Sequence, residues 1–203
     1  MIKIYHAKRA RSARVIWLLE ELGVPYELSV MEFKPEVLKS PEHLARHPLG
    51  QLPVVEVDGV RFFESGAHVQ YLLERHGEGR LQPPLATPER ALYLQWFHFG
   101  EASLAVHVSS IVRQRFGRPP EQMVPAALEE YRASLMAAAA VVDNALEGKP
   151  YICGAQFSAA DIMLSYGLIM ARIIRELPTD RFQNISAYLE RLKQRPSYAK
   201  AWG

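Results

Sequence analysis

Residues 51–65 read QLPVVEVDGVRFFES. Two short runs rich in valine and phenylalanine flank Asp58-Gly59, a dipeptide that tolerates the left-handed backbone a two-residue hairpin turn requires. The stretch therefore predicts an antiparallel hairpin. Its last residues lead into SGAHVQYLLERHG, a helix opening at Ser65 and closing at Gly77. On the other side lies PEVLKSPEHLARH (35–47), a proline-punctuated helical or irregular connection. Before it, PYELSVMEF (25–33) reads as a strand. SARVIWLLEELG (12–23) places Val15, Leu18, Leu19 and Leu22 at helical spacing, with Gly23 as a stop. IKIY supplies the first strand. The order is β-α-β-α-β-β-α.

The texture changes near residue 78. EGRLQPPLATP is a glycine- and proline-rich linker, and the chain beyond it is helical. Pro88 precedes a long helix with Leu92, Trp96, Phe99 and Val106 expected on one face. The next helix carries Leu128, Tyr131, Leu135, Val142 and Leu146 on one stripe. QFSAADIMLSYGLIM begins a third, and FQNISAYLERLKQ ends the framework. In FSAADI, Ser158 and Asp161 form a capping box, with Phe157 and Ile162 placed as a hydrophobic staple. The expected division is an α/β domain over 1–78, a linker over 79–87 and an all-helical domain over 88–203.

With 24 basic against 22 acidic residues the net charge is only +2, which argues against a dedicated nucleic-acid surface. Cys153 is the only cysteine, so neither an intrachain disulfide nor a cysteine-based metal cluster is expected. The most apolar run, LMAAAAVV, is too short to span a bilayer, and no signal peptide is visible. A soluble cytoplasmic protein without a metal is the expectation. The basic stretch HAKRARSAR (6–14) is then a local feature: a solvated loop, or the mouth of an anion site.

RVIWLLEELGVPYEL, HPLGQLPVVEVDG, FFESGAHVQYLLERHG and PYICGAQFSAADIML, in this order, resemble the cytosolic glutathione S-transferase family over essentially the whole chain. The resemblance implies a thioredoxin-like N-terminal domain, an all-helical C-terminal domain and a homodimer. It also implies glutathione as cosubstrate, a small hydrophobic electrophile as second substrate, and peroxide reduction as a side activity.

It carries residues with it. Pro53 is implied to be a cis proline that turns the Leu52 N–H and C=O outward, to pair with the cysteinyl part of glutathione as an added strand would. Glu64 and Ser65 suit the γ-glutamyl zwitterion: its carboxylate on a helix N-terminus capped by Ser65, its ammonium on Glu64. Gln51 and Lys39 are implied at the glycyl end. His98 and Glu101 are candidates for a polar patch on the electrophile side.

Members of this family ionise the glutathione thiol with a tyrosine, serine or cysteine. Here the usual serine place falls on Arg9, followed by Ala10. Three arrangements stand open: Ser12 donates to the thiolate, Arg9 stabilises it by charge, or the first-helix N-terminus does so. A non-catalytic regulatory or interaction scaffold of the same fold is the rival to an enzyme. A glutathione-dependent disulfide reductase is disfavoured, because no cysteine occupies the site.

Overall fold

A computed structural model describes residues 1–203. The chain divides into two compact units, residues 1–81 with 195–203, and residues 82–194. The last nine residues thus belong to the first unit, not to the helical half that the sequence assigned to 88–203.

The first unit is built on a four-stranded sheet of order β2-β1-β3-β4, with β1 (Ile2–His6), β2 (Tyr26–Val30), β3 (Val54–Val57) and β4 (Val60–Phe63). β1 pairs parallel with β2 and antiparallel with β3, and β3 pairs antiparallel with β4. The parallel pair needs a crossover, which is α1 (Ser12–Leu22). Gly23 ends α1 at φ 69°, and the hairpin turn at Asp58 and Gly59 has φ values of 51° and 80°. Both positions behave as expected. The connection contains two single helical turns, α2 (Pro35–Leu38) and α3 (Pro41–Leu44), each started by a proline. α4 (Ser65–His76) follows β4. The resulting βαβ-ββα arrangement is a thioredoxin-like fold.

α1 is the centre of this unit: Val15, Ile16, Trp17, Leu18 and Leu19 are all buried. It packs on α4 and on the terminal helix α10 (Pro196–Trp202). The α10 contact was not legible in the sequence. Arg195 donates from Nε and Nη2 to the two oxygens of Glu21, each at 2.6 Å. Ser197 Oγ and Trp17 Nε1 also donate to Glu21, and the Trp17 ring meets Tyr198 edge-on at 5.3 Å. Burial alone would raise the Glu21 carboxyl; the Arg195, Ser197 and Trp17 donors hold it below its ordinary value.

The second unit contains α5 (Pro88–Phe99), α6 (Val106–Phe116), α7 (Pro125–Ala145), α8 (Ala159–Ile173) and α9 (Gln183–Lys193). α8 is apolar almost all round, as a central helix must be. The expected single long helix after Pro88 is instead α5 and α6 joined by a π-helical turn over Gly100–Ala105. The expected face is also corrected. Leu92 and Val106 are 57% and 43% exposed, and the buried positions are Tyr93, Trp96, Phe97, Gly100 and Leu104. A wide turn carries an extra residue, so Val106 beyond it leaves the stripe that a uniform period of 3.6 projects, while Leu92 lies off the buried stripe of Tyr93, Trp96, Phe97 and Gly100 within the regular helix itself. This turn packs on α8 at very close range. A Cβ on Gly100 would lie 2.6 Å from the Met163 carbonyl oxygen and 2.7 Å from the Leu164 Cα.

His68 ties α4 to the sheet: its Nε2 lies 2.9 Å from the Phe62 carbonyl and its ring meets Phe62 edge-on. Burial lowers its pKa from 6.5 to about 4. Below pH 6.5 the unfolded chain takes up a proton that the folded chain refuses until about pH 4. Stability conferred by neutral His68 is therefore full above pH 6.5 and lost as pH falls toward 4, by about 3 kcal/mol. Urea unfolding across this range is expected to show the loss, and His68→Leu to flatten it.

Candidate functional site

The first unit gathers the candidate residues by elementary chain geometry. β1 ends at His6 and feeds the loop 7–11, which turns into α1. Ala7 and Ala10 in this loop are buried in one apolar cluster with Tyr5, Leu52 and Val54. Small side chains here let the loop lie close against the segment 51–53. Arg9 projects from the loop, exposed, with a left-handed backbone at φ 65°. It is one of seven non-glycine residues of the chain with positive φ.

Ser12, the first residue of α1, has no exposed surface, and its Oγ lies 2.8 Å from His6 Nδ1. The structure thus turns this hydroxyl inward, where it ties the end of β1 to the start of α1. Burial lowers the His6 pKa, which keeps this contact between neutral groups. Tyr5 is not available either: its hydroxyl donates to Glu56 at 3.2 Å, and the Arg46 guanidinium lies 4.5 Å over its ring.

The segment 47–53 is pinned residue by residue. Leu49 N–H donates to His47 Nδ1 at 3.2 Å, and Lys39 Nζ donates to the Leu49 carbonyl at 2.7 Å. Gly50 has φ 56°, and a Cβ there would lie 2.2 Å from the Leu38 carbonyl oxygen, so only glycine fits. His43, wholly buried on α3, approaches the Gln51 carbonyl with Nε2 at 3.0 Å. The Leu52–Pro53 peptide is cis. The Gln51 side chain is exposed, and Leu52 is 8% exposed.

At the start of α4, Glu64 is exposed and, like Arg9, is a non-glycine residue at positive φ, here 81°. Ser65 was expected as the N-cap. It is instead the first helical residue, and Glu64 holds the cap position without a side-chain cap bond. The reason lies on α1. Arg14, 1% exposed, donates from Nη1 to Ser65 Oγ at 3.0 Å, so the hydroxyl faces a buried guanidinium. Arg14 thereby links the start of α1 to the start of α4. It stood in the sequence as one basic residue among four; its place in an apolar helix stripe beside Val15 and Leu18 was the available signal.

Ser12, Arg9, Lys39, Gln51, Leu52, Pro53, Glu64 and Ser65 all lie in the first unit. His98 and Glu101 lie in the second, His98 exposed in the last turn of α5 and Glu101 half-buried in the π-helical turn. Cys153 is also in the second unit, and burial pushes its thiol up to about 11. Such a thiol holds little thiolate at neutral pH and is a poor nucleophile. No group of three or more His, Cys, Asp or Glu side chains is arranged to hold a metal ion.

Residues 1–74 match the family described as "Glutathione S-transferase, N-terminal domain", and residues 125–191 match "Glutathione S-transferase, C-terminal domain". The chain is 30% identical to glutathione S-transferase 4 of Zea mays over 93% of its own length and 85% of the relative's. It is 29% identical to glutathione S-transferase 3 of Schizosaccharomyces pombe, over 97% and 85% of the two chains. A crystal structure of a glutathione S-transferase from Actinobacillus pleuropneumoniae superposes with a TM-score of 0.83 at 29% identity, covering 99% of this chain and 91% of that one. Sequence and fold agree: the chain belongs to the glutathione S-transferase family.

Proposed function

We propose that the protein binds glutathione on its first unit and transfers the thiolate to hydrophobic electrophiles, with peroxide reduction as a side activity. The carrying observation is the Arg14–Ser65 bond, which fixes the N-termini of α1 and α4 in one arrangement. The α4 N-terminus, with the N–H groups of its first turn, receives the γ-glutamyl carboxylate, and Glu64 its ammonium. Leu52 offers its main chain to the cysteinyl part as an added strand does. Gln51 holds the glycyl end. Lys39 has one N–H on the Leu49 carbonyl and two more for the glycyl carboxylate. The protein acts as a cytoplasmic homodimer.

This alignment delivers the sulfur to the loop 7–11. Burial of Ser12 favours Arg9 and the α1 N-terminus as the stabilisers of the thiolate, with Ser12 holding the loop through His6. A cation beside a thiol ordinarily near 8.5 need lower it by only about 1–2 units, which corresponds to about 1.4–2.7 kcal/mol. Arg9→Leu is therefore expected to raise the pKa of bound glutathione by about one unit, read from thiolate absorbance or the pH–rate profile. Ser12→Ala is expected to lower thermal stability more than it moves that pKa; the reverse pattern returns the donor role to Ser12.

The inward-facing Ser12 also favours the rival, a non-catalytic regulatory or interaction scaffold of the same fold. Calorimetric titration with glutathione and conjugation of 1-chloro-2,4-dinitrobenzene separate the two. Binding with turnover supports the transferase; binding alone supports the scaffold. No binding at millimolar glutathione overturns the transferase.

A further inference from the structure

Two buried histidines stand behind the proposed glutathione cradle, and neither enters the chemistry proposed above. His43 and His68 have no exposed surface. Each directs Nε2 at one main-chain carbonyl, His43 at Gln51 at 3.0 Å and His68 at Phe62 at 2.9 Å. A carbonyl only accepts, so Nε2 carries the ring proton in both. In both rings Nδ1 is buried with no hydrogen-bond partner. Each ring therefore leaves one buried nitrogen unpaired while supplying an N–H to one chosen carbonyl, which no apolar side chain can do.

The two carbonyls are not arbitrary ones. The Gln51 C=O shares a planar peptide unit with the Leu52 N–H. In a trans unit these two groups point in opposite directions. A bond that holds the Gln51 oxygen toward α3 therefore aims the Leu52 N–H away from it. That N–H is the donor proposed for the cysteinyl part of glutathione. His68 closes the other half. Its ring holds the Phe62 carbonyl before Glu64, while its own N–H donates to the Glu64 carbonyl at 3.0 Å. The main-chain bond is the ordinary first bond of α4, so what the histidine ring adds is an anchor two residues before Glu64, which stands at φ 81°. A residue at positive φ without such restraint relaxes toward the ordinary regions, and its side chain leaves the α4 N-terminus.

We infer that His43 and His68 are positioning residues for glutathione, each fixing through one ring N–H the backbone of one half of the cradle. The inference rests on the glutathione-binding reading above. Its test uses the whole chain, with binding followed calorimetrically and KM and kcat measured against glutathione.

His43→Leu and His68→Leu are each expected to raise KM for glutathione about tenfold, the scale of one well-directed hydrogen bond, while kcat at saturation changes less than twofold. The amide of glutamine places an N–H near the histidine Nε2 position, whereas that of asparagine is too short to reach. His43→Gln is thus expected to restore KM to within about threefold of the wild type, and His43→Asn not to. This Gln/Asn pair gives the same reading if a leucine variant folds poorly. A lowered melting temperature with KM unchanged in all these variants makes the histidines purely structural and overturns the inference. Wild-type chain that fails to bind millimolar glutathione overturns the binding reading itself, so the two failures are told apart.

Discussion

Asp161→Ala is expected to lower the stability of the helical unit more than any other single polar deletion in it, by about 4 kcal/mol. Asp161 has no exposed surface. One oxygen accepts from Ile152 N–H at 2.9 Å and Tyr188 Oη at 2.9 Å. The other accepts from Ser158 N–H at 2.8 Å and Ser158 Oγ at 3.1 Å. Burial pushes the carboxyl up, and these four donors oppose it. Alanine removes the acceptor and leaves buried donors behind, each costing about 1–3 kcal/mol. The capping box of α8, the loop at Ile152 and Tyr188 of α9 are released together. For a chain of this size the melting temperature is expected to fall by roughly 10 °C. Asp161→Asn keeps one acceptor but turns an N–H₂ toward donors, and is expected to fall between. A loss below about 1 kcal/mol for Asp161→Ala would show that water replaces the carboxylate, against its burial.

In Gly100→Ala two terms of opposite sign compete. In an exposed helix the substitution stabilises by about 1 kcal/mol. At Gly100 the added Cβ meets main-chain atoms of α8 at 2.6 and 2.7 Å, which no rotamer change relieves. The π-helical turn and α8 must then separate, and overpacking of that kind costs about 3 kcal/mol or more. The collision wins, by about 2 kcal/mol net. Gly167 supplies the control: its added Cβ would meet the Leu104 Cδ2 at 2.9 Å, the far end of a side chain that can turn aside. Urea denaturation of both variants is expected to rank Gly100→Ala well below Gly167→Ala. Equal losses would place the cost in the helix rather than in the crossing.

What the sequence disclosed is what short-range chemistry decides. Asp58-Gly59 needs no partner to specify a turn, Gly23 none to stop a helix, and Ser158 and Asp161 cap α8 across three residues. The π-helical turn was hidden because Leu92, Trp96, Phe99 and Val106 fit a uniform helix on paper; only the close crossing at Gly100 selects the wider turn. Arg14 was hidden for a related reason. Its partner Ser65 lies 51 positions away, and a basic residue in a basic stretch reads as solvated until the fold buries it. Ser12 shows the converse. It was legible as a hydroxyl near the right place, but the 2.8 Å contact with His6, which turns it inward, depends on how β1 meets α1. His68 sits in a segment that the family resemblance marked and His43 in the proline-punctuated connection before another, yet nothing in their spacing shows a ring aimed at a carbonyl.

The return of residues 195–203 to the first unit has a consequence for biosynthesis. All four strands and α1 leave the ribosome early, but the Arg195 and Ser197 partners of Glu21 follow only after residues 82–194. At about 5–20 residues per second that interval is roughly 6 to 23 seconds. During it, the face of α1 carrying Trp17 and Glu21 lacks its cover, and the nascent chain presents an apolar surface to chaperones or to neighbouring chains. The unit that begins the chain is the one completed last.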